Sequence, residues 1–112
     1  MKVHHYETSG GKDLIQEYLN KISKAEKADG LSVLEKLEDE KFHELIIKPW
    51  RGKISEVYFY KDNRIFYVIA DENNIYVLHA CRKQKNKTEL QDSETVIQRA
   101  KKIGELLSKK FI

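Results

Sequence analysis

The sequence predicts an α+β domain in which helices pack on a β-sheet, and three observations support this fold class. Three strand-like segments, residues 54–60, 64–70 and 75–81, follow one another and are joined only by the short turns "KDN" and "DENN". Short turns between such segments are typical of an antiparallel meander. Apolar residues at helical spacing precede the three segments and return after them. We therefore expect the element order β-α-α-β-β-β-α in one domain spanning residues 1–112.

The elements before the meander are one short strand and two helices in this prediction. Residues 2–7 form the strand. Residues 13–28 carry apolar side chains at helical spacing, and Gly30 is expected to separate this helix from a second one that ends near Lys41. The next segment, residues 42–53, contains a proline and a glycine, which favour a turn or an irregular crossing.

The later elements are a central strand and a C-terminal helix. Residues 64–70 are apolar on both faces, which is typical of a central strand, and we expect helices to cover one side of the sheet. After residue 88, apolar positions fall on one helical stripe. Asp92 is one candidate N-cap, and Thr88 paired with Gln91 is the other.

The charge and composition restrict the class of protein. The net charge is +3, but residues 1–81 hold 12 Lys/Arg against 14 Asp/Glu, whereas residues 82–112 hold 9 against 4. Localised positive charge favours a phosphate backbone or an acidic protein as the partner. A solvated basic helix would give the same pattern. The sequence has no apolar run of the roughly 20 residues that span a bilayer and a single cysteine, so we expect a cytoplasmic protein with no membrane partner.

A cluster of cations directly follows the last predicted strand, and it is the strongest candidate site. Its members are Arg82, Lys83, Lys85 and Lys87. In an antiparallel meander the start of the middle strand lies beside the end of the next strand, so Arg64 is expected close to Cys81 and Arg82. Arginine side chains bind phosphate oxygens in a bidentate manner. The sequence therefore predicts that these cations converge on an anion at one edge of the sheet.

Aromatic residues are expected at the same edge. Tyr58 and Tyr60 lie at the end of the preceding strand, where their rings could stack on a nucleic-acid base. His79 lies in an apolar strand and is predicted to be a hydrogen-bonded core histidine. No glycine-rich phosphate loop and no zinc-ligand spacing occurs, so the sequence predicts neither a metal nor another cofactor.

Four short motifs together resemble the RelE/ParE superfamily of type II toxins, with the closest similarity to its HigB-like, phage-type branch. The motifs, "SEVY", "RIFY", "LHAC" and "RKQKNKT", are followed by an amphipathic helix. The resemblance covers roughly residues 54–103. It implies a ribosome-associated endoribonuclease that cuts mRNA without a metal, and a cognate antitoxin, often a helix-turn-helix protein, that holds the toxin inactive.

The resemblance also assigns roles to residues in this sequence. Such an enzyme promotes attack of a ribose 2′-hydroxyl on the adjacent phosphate, which requires a base, an acid and stabilisation of the phosphorane. The match implies that Arg64 stabilises the phosphate, that Arg82 and Lys83 stabilise charge or donate a proton, and that Lys85 transfers a proton. Tyr58, Tyr60 and Lys87 are the expected RNA-binding residues.

The sequence departs from the family pattern at two positions. Tyr58 occupies the position of an expected arginine, and Cys81 occupies that of an expected aromatic residue. Two other interpretations therefore stay open: a ParE-like toxin that inhibits DNA gyrase by binding, and a catalytically silent relative that acts as a binding or regulatory module.

Overall fold

The computed structural model describes residues 1–83 and 89–112, and within these ranges the chain forms three α-helices and five strands. The helices are α1 (Leu14–Lys21), α2 (Lys24–Glu38) and α3 (Leu90–Leu107). The strands are β1 (Lys2–His5), β2 (Ile46–Arg51), β3 (Ile54–Phe59), β4 (Asn63–Asp71) and β5 (Asn74–Arg82). A 3₁₀ turn, Phe42–Glu44, precedes β2. The predicted α+β class is confirmed.

The five strands form one mixed sheet in the order β1-β5-β4-β3-β2. Strands β2 to β5 are antiparallel neighbours, and β1 pairs with β5 in parallel. The predicted meander of β3, β4 and β5 is confirmed, and so is the central position of β4, where six consecutive residues from Asn63 are buried.

Strand β2 is an element that the sequence analysis did not predict. Residues 42–53 were expected to be irregular because of Pro49 and Gly52, but Ile46–Arg51 pairs with β3. Because β2 is the edge strand, the missing N–H of Pro49 need not interrupt the ladder. The register shifts between Pro49 and Arg51, which is a bulge-like irregularity.

The break between the first two helices also differs from the prediction. Ser23 caps α2 with a capping box, in which Ser23 and Glu26 each bind the other's backbone N–H. Gly30 instead lies inside α2, where an added Cβ would come within 2.7 Å of Leu19 and 3.0 Å of Phe59. This glycine therefore permits close approach of the helix to the sheet.

Helices cover both faces of the sheet, not one face as expected. Helices α1 and α2 pack against one face and α3 against the other. The first core includes Ile15, Leu19, Val33, Leu37, Val57, Phe59 and Ile65. The second includes Ile54, Phe66, Leu78, Val96, Ala100 and Ile103.

The start of α3 differs from the predicted Asp92 cap. Glu89 is the N-cap and makes no side-chain capping bond, and Asp92 lies inside the first turn. Thr88 lies outside the described residues. In the described ranges, no helix combines the length and apolar character that a membrane crossing requires.

Candidate functional site

The candidate site begins with a row of paired residues that crosses the sheet on the α3 face. Tyr58 pairs with Arg64 across β3 and β4, and Arg64 pairs with Cys81 across β4 and β5. Directly paired residues point to the same face of a sheet. Ile46 of β2 pairs with Tyr58 and extends the row to the sheet edge.

Tyr58 is the centre of the site because its hydroxyl bridges two charged groups. The hydroxyl donates a hydrogen bond to Oε1 of Glu56 at 2.8 Å, and Nζ of Lys83 donates to the hydroxyl at 3.5 Å. Burial, together with the bond to Glu56, raises the pKa of Tyr58. The phenol therefore stays protonated at neutral pH and connects an ammonium to a carboxylate.

Three cations surround the ring of Tyr58. Nζ of Lys48 and Nζ of Lys83 each lie 5.3 Å from the ring centroid, and Cζ of Arg64 lies 5.1 Å from it. Lys48 is exposed on β2. Lys83 is held by its backbone N–H, which donates to the carbonyl of Asp62 at 2.6 Å. Lys48 and Lys83 thus bring positive charge to the phenol ring on side chains that are not buried.

Arg64 supports this site from the interior. Only 1% of Arg64 is exposed, and its guanidinium forms an ion pair with Oε2 of Glu56 at 2.9 Å. Its Cζ also lies 5.8 Å from the ring centroid of Phe66. The guanidinium therefore orients the carboxylate that accepts the hydrogen bond from Tyr58, and it is covered from solvent rather than open to a phosphate as predicted.

Arg82 lies on the opposite face, so the expected convergence of the two guanidinium groups is wrong. Asn63 pairs with Arg82, one position out of step with the Arg64–Cys81 pair. The Arg82 guanidinium forms a 2.6 Å ion pair with Glu26 of α2 and donates to the carbonyl of Lys61. Alternation along a strand turns the two arginines to opposite sides although their backbones are close.

Glu26 is held as a carboxylate by several donors. Its pKa falls to about 2, first because the Ser23 hydroxyl bonds to it, and then because Asn63 and Arg82 donate to it. Asn63 Nδ2 lies 3.0 Å from Oε1 of Glu26. Arg82 is therefore part of a polar network that joins α2 to the sheet.

The other predicted residues have different locations. Tyr60 follows β3, is half exposed, and lines with Tyr58 a groove of about 490 Å³ between α2 and the end of β3. Carboxylates of Asp29, Glu44 and Asp62 also line this groove. Lys85 and Lys87 lie outside the described residues, so their roles stay predictions.

A second polar network, which the sequence analysis missed apart from His79, lies between β5 and α3. Nε2 of His79 lies 2.8 Å from Asp92, and Arg99 contacts Nδ1 at 3.2 Å and donates to the carbonyl of Leu78. The prediction of a hydrogen-bonded core histidine is confirmed. Burial lowers the pKa of His79.

Among the described residues, one group has the composition of a metal site. Ligand atoms of His79, Cys81 and Asp92 lie within 4.8 Å of one another. However, both imidazole nitrogens already make polar contacts, and burial raises the pKa of Cys81 to about 12. A metal would have to displace Asp92 or Arg99 from the ring and a proton from a buried thiol, so the arrangement favours the hydrogen-bonded network.

Lys48 and Glu56 are the other members of the site that the sequence analysis missed. Residues 46–48 alternate between exposed and partly buried positions, which is typical of a strand and would have indicated that Lys48 lies on its exposed side. Pro49, directly after them, argued against a strand, so this pattern was not recognised. Glu56 stands in "SEVY" two residues before Tyr58, which places both side chains on one face of a strand.

Comparison with known proteins places the chain in a family. Residues 17–101 match the family model described as "Phage derived protein Gp49-like (DUF891)". No curated protein matches the chain. The resemblance to RelE-type toxins is confirmed at this level, and the assignment to a HigB-like branch stays a prediction. The chain therefore belongs to the Gp49-like family of phage-derived proteins, a RelE/HigB-type toxin family.

Proposed function

We propose that this protein is the toxin of a toxin–antitoxin pair and that it cleaves mRNA on the ribosome without a metal ion. Members of its family are commonly toxins of toxin–antitoxin pairs. The observation that carries the proposal is the Tyr58 hydroxyl, which connects the Glu56 carboxylate to the Lys83 ammonium in a ring of cations. Such a group pairs a proton acceptor with a proton donor at a positively charged surface.

The proposed phosphate position lies beside the Tyr58 ring, within reach of Lys48 and Lys83. Both ammonium groups are 5.3 Å from the ring centroid and on side chains long enough to turn toward an anion. The groove beside Tyr60 is lined by three carboxylates and by Lys36, which pairs with Glu44, so its net negative charge disfavours a phosphate backbone. The charge distribution therefore favours RNA on the Lys48 side of Tyr58.

In the proposed reaction, the ribose 2′-oxygen attacks the adjacent phosphorus and the bond to the 5′-oxygen breaks. The 2′-hydroxyl proton passes to the Tyr58 oxygen as the phenol proton moves to Glu56. Lys83 gives a proton to the leaving 5′-oxygen. The products are a 2′,3′-cyclic phosphate and a 5′-hydroxyl, and Lys48 stabilises the additional negative charge on the phosphorane.

Arg64 acts as a positioning residue in this proposal. Its ion pair with Glu56 is almost fully buried, so it fixes the carboxylate in the orientation that accepts from Tyr58. Arg82 belongs to the network with Glu26 on the other face and supports the fold. Lys85 keeps its predicted role in proton transfer, and Lys87 keeps its predicted role as a further RNA contact.

The proposed partners are mRNA on the ribosome and a cognate antitoxin, for which the sequence resemblance implies a helix-turn-helix protein. The proposed location is the cytoplasm, where the translated mRNA lies. No metal or other cofactor is needed for the reaction above, because the chain's own charged groups supply the proton transfers.

Expression in a bacterial host, followed by primer extension on cellular mRNA, tests the proposal. We expect growth arrest and new mRNA 5′ ends with the natural chain, and loss of both with Lys83→Ala. Lys101→Ala, which removes an exposed lysine on α3, is the matched control and should leave both unchanged. DNA-damage signalling without mRNA cuts would favour gyrase inhibition, and no growth effect would favour a silent relative. Either result overturns the nuclease proposal.

A further inference from the structure

Trp50 occupies an unusual position beside the candidate site. Its indole contacts Phe66 of β4 in an edge-to-face arrangement, with ring centroids 5.1 Å apart and planes at 65°. Trp50 is nevertheless only partly buried. Because Trp50 belongs to edge strand β2 and Phe66 to the central strand, the indole extends inward over the α3 face of the sheet.

The next residue places a cation on this indole. Cζ of Arg51 lies 4.9 Å from the ring of Trp50, and Arg51 is exposed. Neighbouring residues in a regular strand point to opposite faces, but the register shift between Pro49 and Arg51 alters this alternation. Bulges of this kind re-aim side chains and are frequent beside functional sites.

The pair of Trp50 and Arg51 continues the charged surface at Tyr58. Lys48, two residues before Trp50, has its ammonium 5.3 Å from the Tyr58 ring. The sequence Lys48, Trp50, Arg51 thus joins the proposed phosphate position to a second aromatic ring with its own cation. Alternation of cations with aromatic rings is the arrangement by which proteins bind single-stranded nucleic acid without reading its sequence.

A purely structural role explains only part of this arrangement. Packing against Phe66 accounts for the buried part of the indole. It does not require an exposed arginine over the ring, because a guanidinium that stays in water gains little from such a contact. A base stacked on the guanidinium and the indole would use both groups.

We propose that Trp50 and Arg51 form a second nucleotide subsite, which stacks a base that flanks the phosphate bound at Tyr58. This inference rests on the proposed function, since it names a further contact for the same RNA. The ligand is a base of single-stranded RNA, held by stacking and by the positive charge of Arg51. The subsite gives affinity and positions the strand, and it takes no part in proton transfer.

The test uses the single tryptophan of the chain, because intrinsic indole fluorescence then reports on Trp50 alone. The protein is the full chain with Tyr58→Phe, which prevents cleavage in the proposed mechanism. The probe is short single-stranded oligoadenylate, unlabelled for fluorescence quenching and fluorescein-labelled for anisotropy. We expect quenching and anisotropy to give the same midpoint concentration.

Two variants in the same hairpin separate stacking from charge. Arg51→Ala should weaken binding of the labelled RNA by roughly 5- to 100-fold. Lys53→Ala removes an equal charge from a nearby exposed residue and should weaken binding less than 5-fold, in line with one lost phosphate-type contact. Arg51 is exposed, so its replacement should lower the midpoint of thermal unfolding by only a few degrees and leave the chain folded.

Three outcomes would overturn the subsite. They are RNA binding without quenching of Trp50, equal effects of Arg51→Ala and Lys53→Ala, and no RNA binding to the full chain. The first two leave the proposed nuclease function intact. The absence of RNA binding to the full chain would also not decide the nuclease proposal, because the primer-extension experiment tests that proposal on translating ribosomes in the cell. Failure of the subsite and failure of the nuclease proposal are therefore distinguishable.

Discussion

The phenolic oxygen of Tyr58 lies 2.8 Å from Oε1 of Glu56, and the phenol donates a hydrogen bond to that carboxylate. The arginine that the toxin family pattern places at this position is absent, yet the site is still strongly cationic because Lys48, Lys83 and Arg64 surround the ring. Compared with the arginine of the family pattern, Tyr58 carries no fixed charge but has a hydroxyl, which is the group that passes a proton in the proposed reaction.

Removal of the Tyr58 hydroxyl should stop proton transfer while the ring remains. In Tyr58→Phe, we expect the rate of mRNA cleavage to fall by about 10²-fold or more, the range for loss of a general acid–base group. Single-turnover cleavage of translated mRNA measures this rate. Tyr76→Phe, at a partly buried tyrosine stacked on His4, is the matched control and should keep the natural rate.

Removal of the Glu56 charge should destabilise the fold because it leaves Arg64 as a buried charge without this carboxylate. We expect Glu56→Gln to lower the free energy of unfolding by about 3 kcal/mol. The double variant Glu56→Gln, Arg64→Met should recover part of that loss, and urea unfolding measures both. Glu94→Gln, on the exposed side of α3, should have little effect. Equal stability of natural chain and Glu56→Gln would show that the buried pair is not stabilising.

The hairpin that carries Lys48 and Trp50 should depend on Gly52. This glycine has a φ of +52°, and a Cβ there would lie 2.3 Å from the Phe111 carbonyl oxygen. Gly52→Ala should lower the free energy of unfolding by more than about 1 kcal/mol through strain and displacement of the C-terminal segment. Gly10→Ala, where the nearest atom would be 3.8 Å away, is the control that thermal unfolding should show to be nearly neutral.

The stability that Glu26 contributes should depend on pH in a defined direction. Its pKa is about 2 in the folded chain, against an ordinary value of 4.5. A lowered pKa stabilises the fold above pH 4.5, and this contribution disappears as the pH falls toward 2. Glu26→Gln should therefore be less stable than the natural chain at neutral pH, and the difference should shrink at about pH 3.

Urea unfolding at the two pH values tests this prediction. Glu35→Gln, at an exposed position on the same helix, is the control for a general loss of negative charge. A difference between Glu26→Gln and the natural chain that stays constant from neutral to acid pH would contradict the assignment of this network.

Part of the fold was predictable because local pattern and turn chemistry determine it. Strands β3 to β5 alternate or run apolar between short turns, so their pairing and the central place of β4 followed directly. The position of the break before α2 could not be predicted from the sequence. A glycine such as Gly30 is typical of a helix end, but here it lies inside the helix and permits close packing against the sheet. Strand β2 was missed because a proline is tolerated at a sheet edge, and edge position is a tertiary property.

The candidate site was predictable in its location but not in its membership. The meander places Arg64 beside Cys81 and Arg82, yet a shift of one residue decides which face a side chain occupies. The side chains of Lys83 and Tyr58 lie on the α3 face of the sheet with Arg64, whereas that of Arg82 lies on the opposite face. The burial of Arg64 against Glu56 depends on packing across strands, which residue spacing alone does not reveal.

The most direct test of the central claim is end-group analysis of mRNA cut by the purified protein on translating ribosomes, because attack by the 2′-hydroxyl and attack by a metal-activated water leave different ends. We predict fragments with 2′,3′-cyclic phosphate and 5′-hydroxyl ends, formed at least about 10²-fold more slowly by Tyr58→Phe. Fragments with 5′-phosphate ends, or an undiminished rate in Tyr58→Phe, would contradict the claim that Tyr58 passes the proton in a metal-independent reaction.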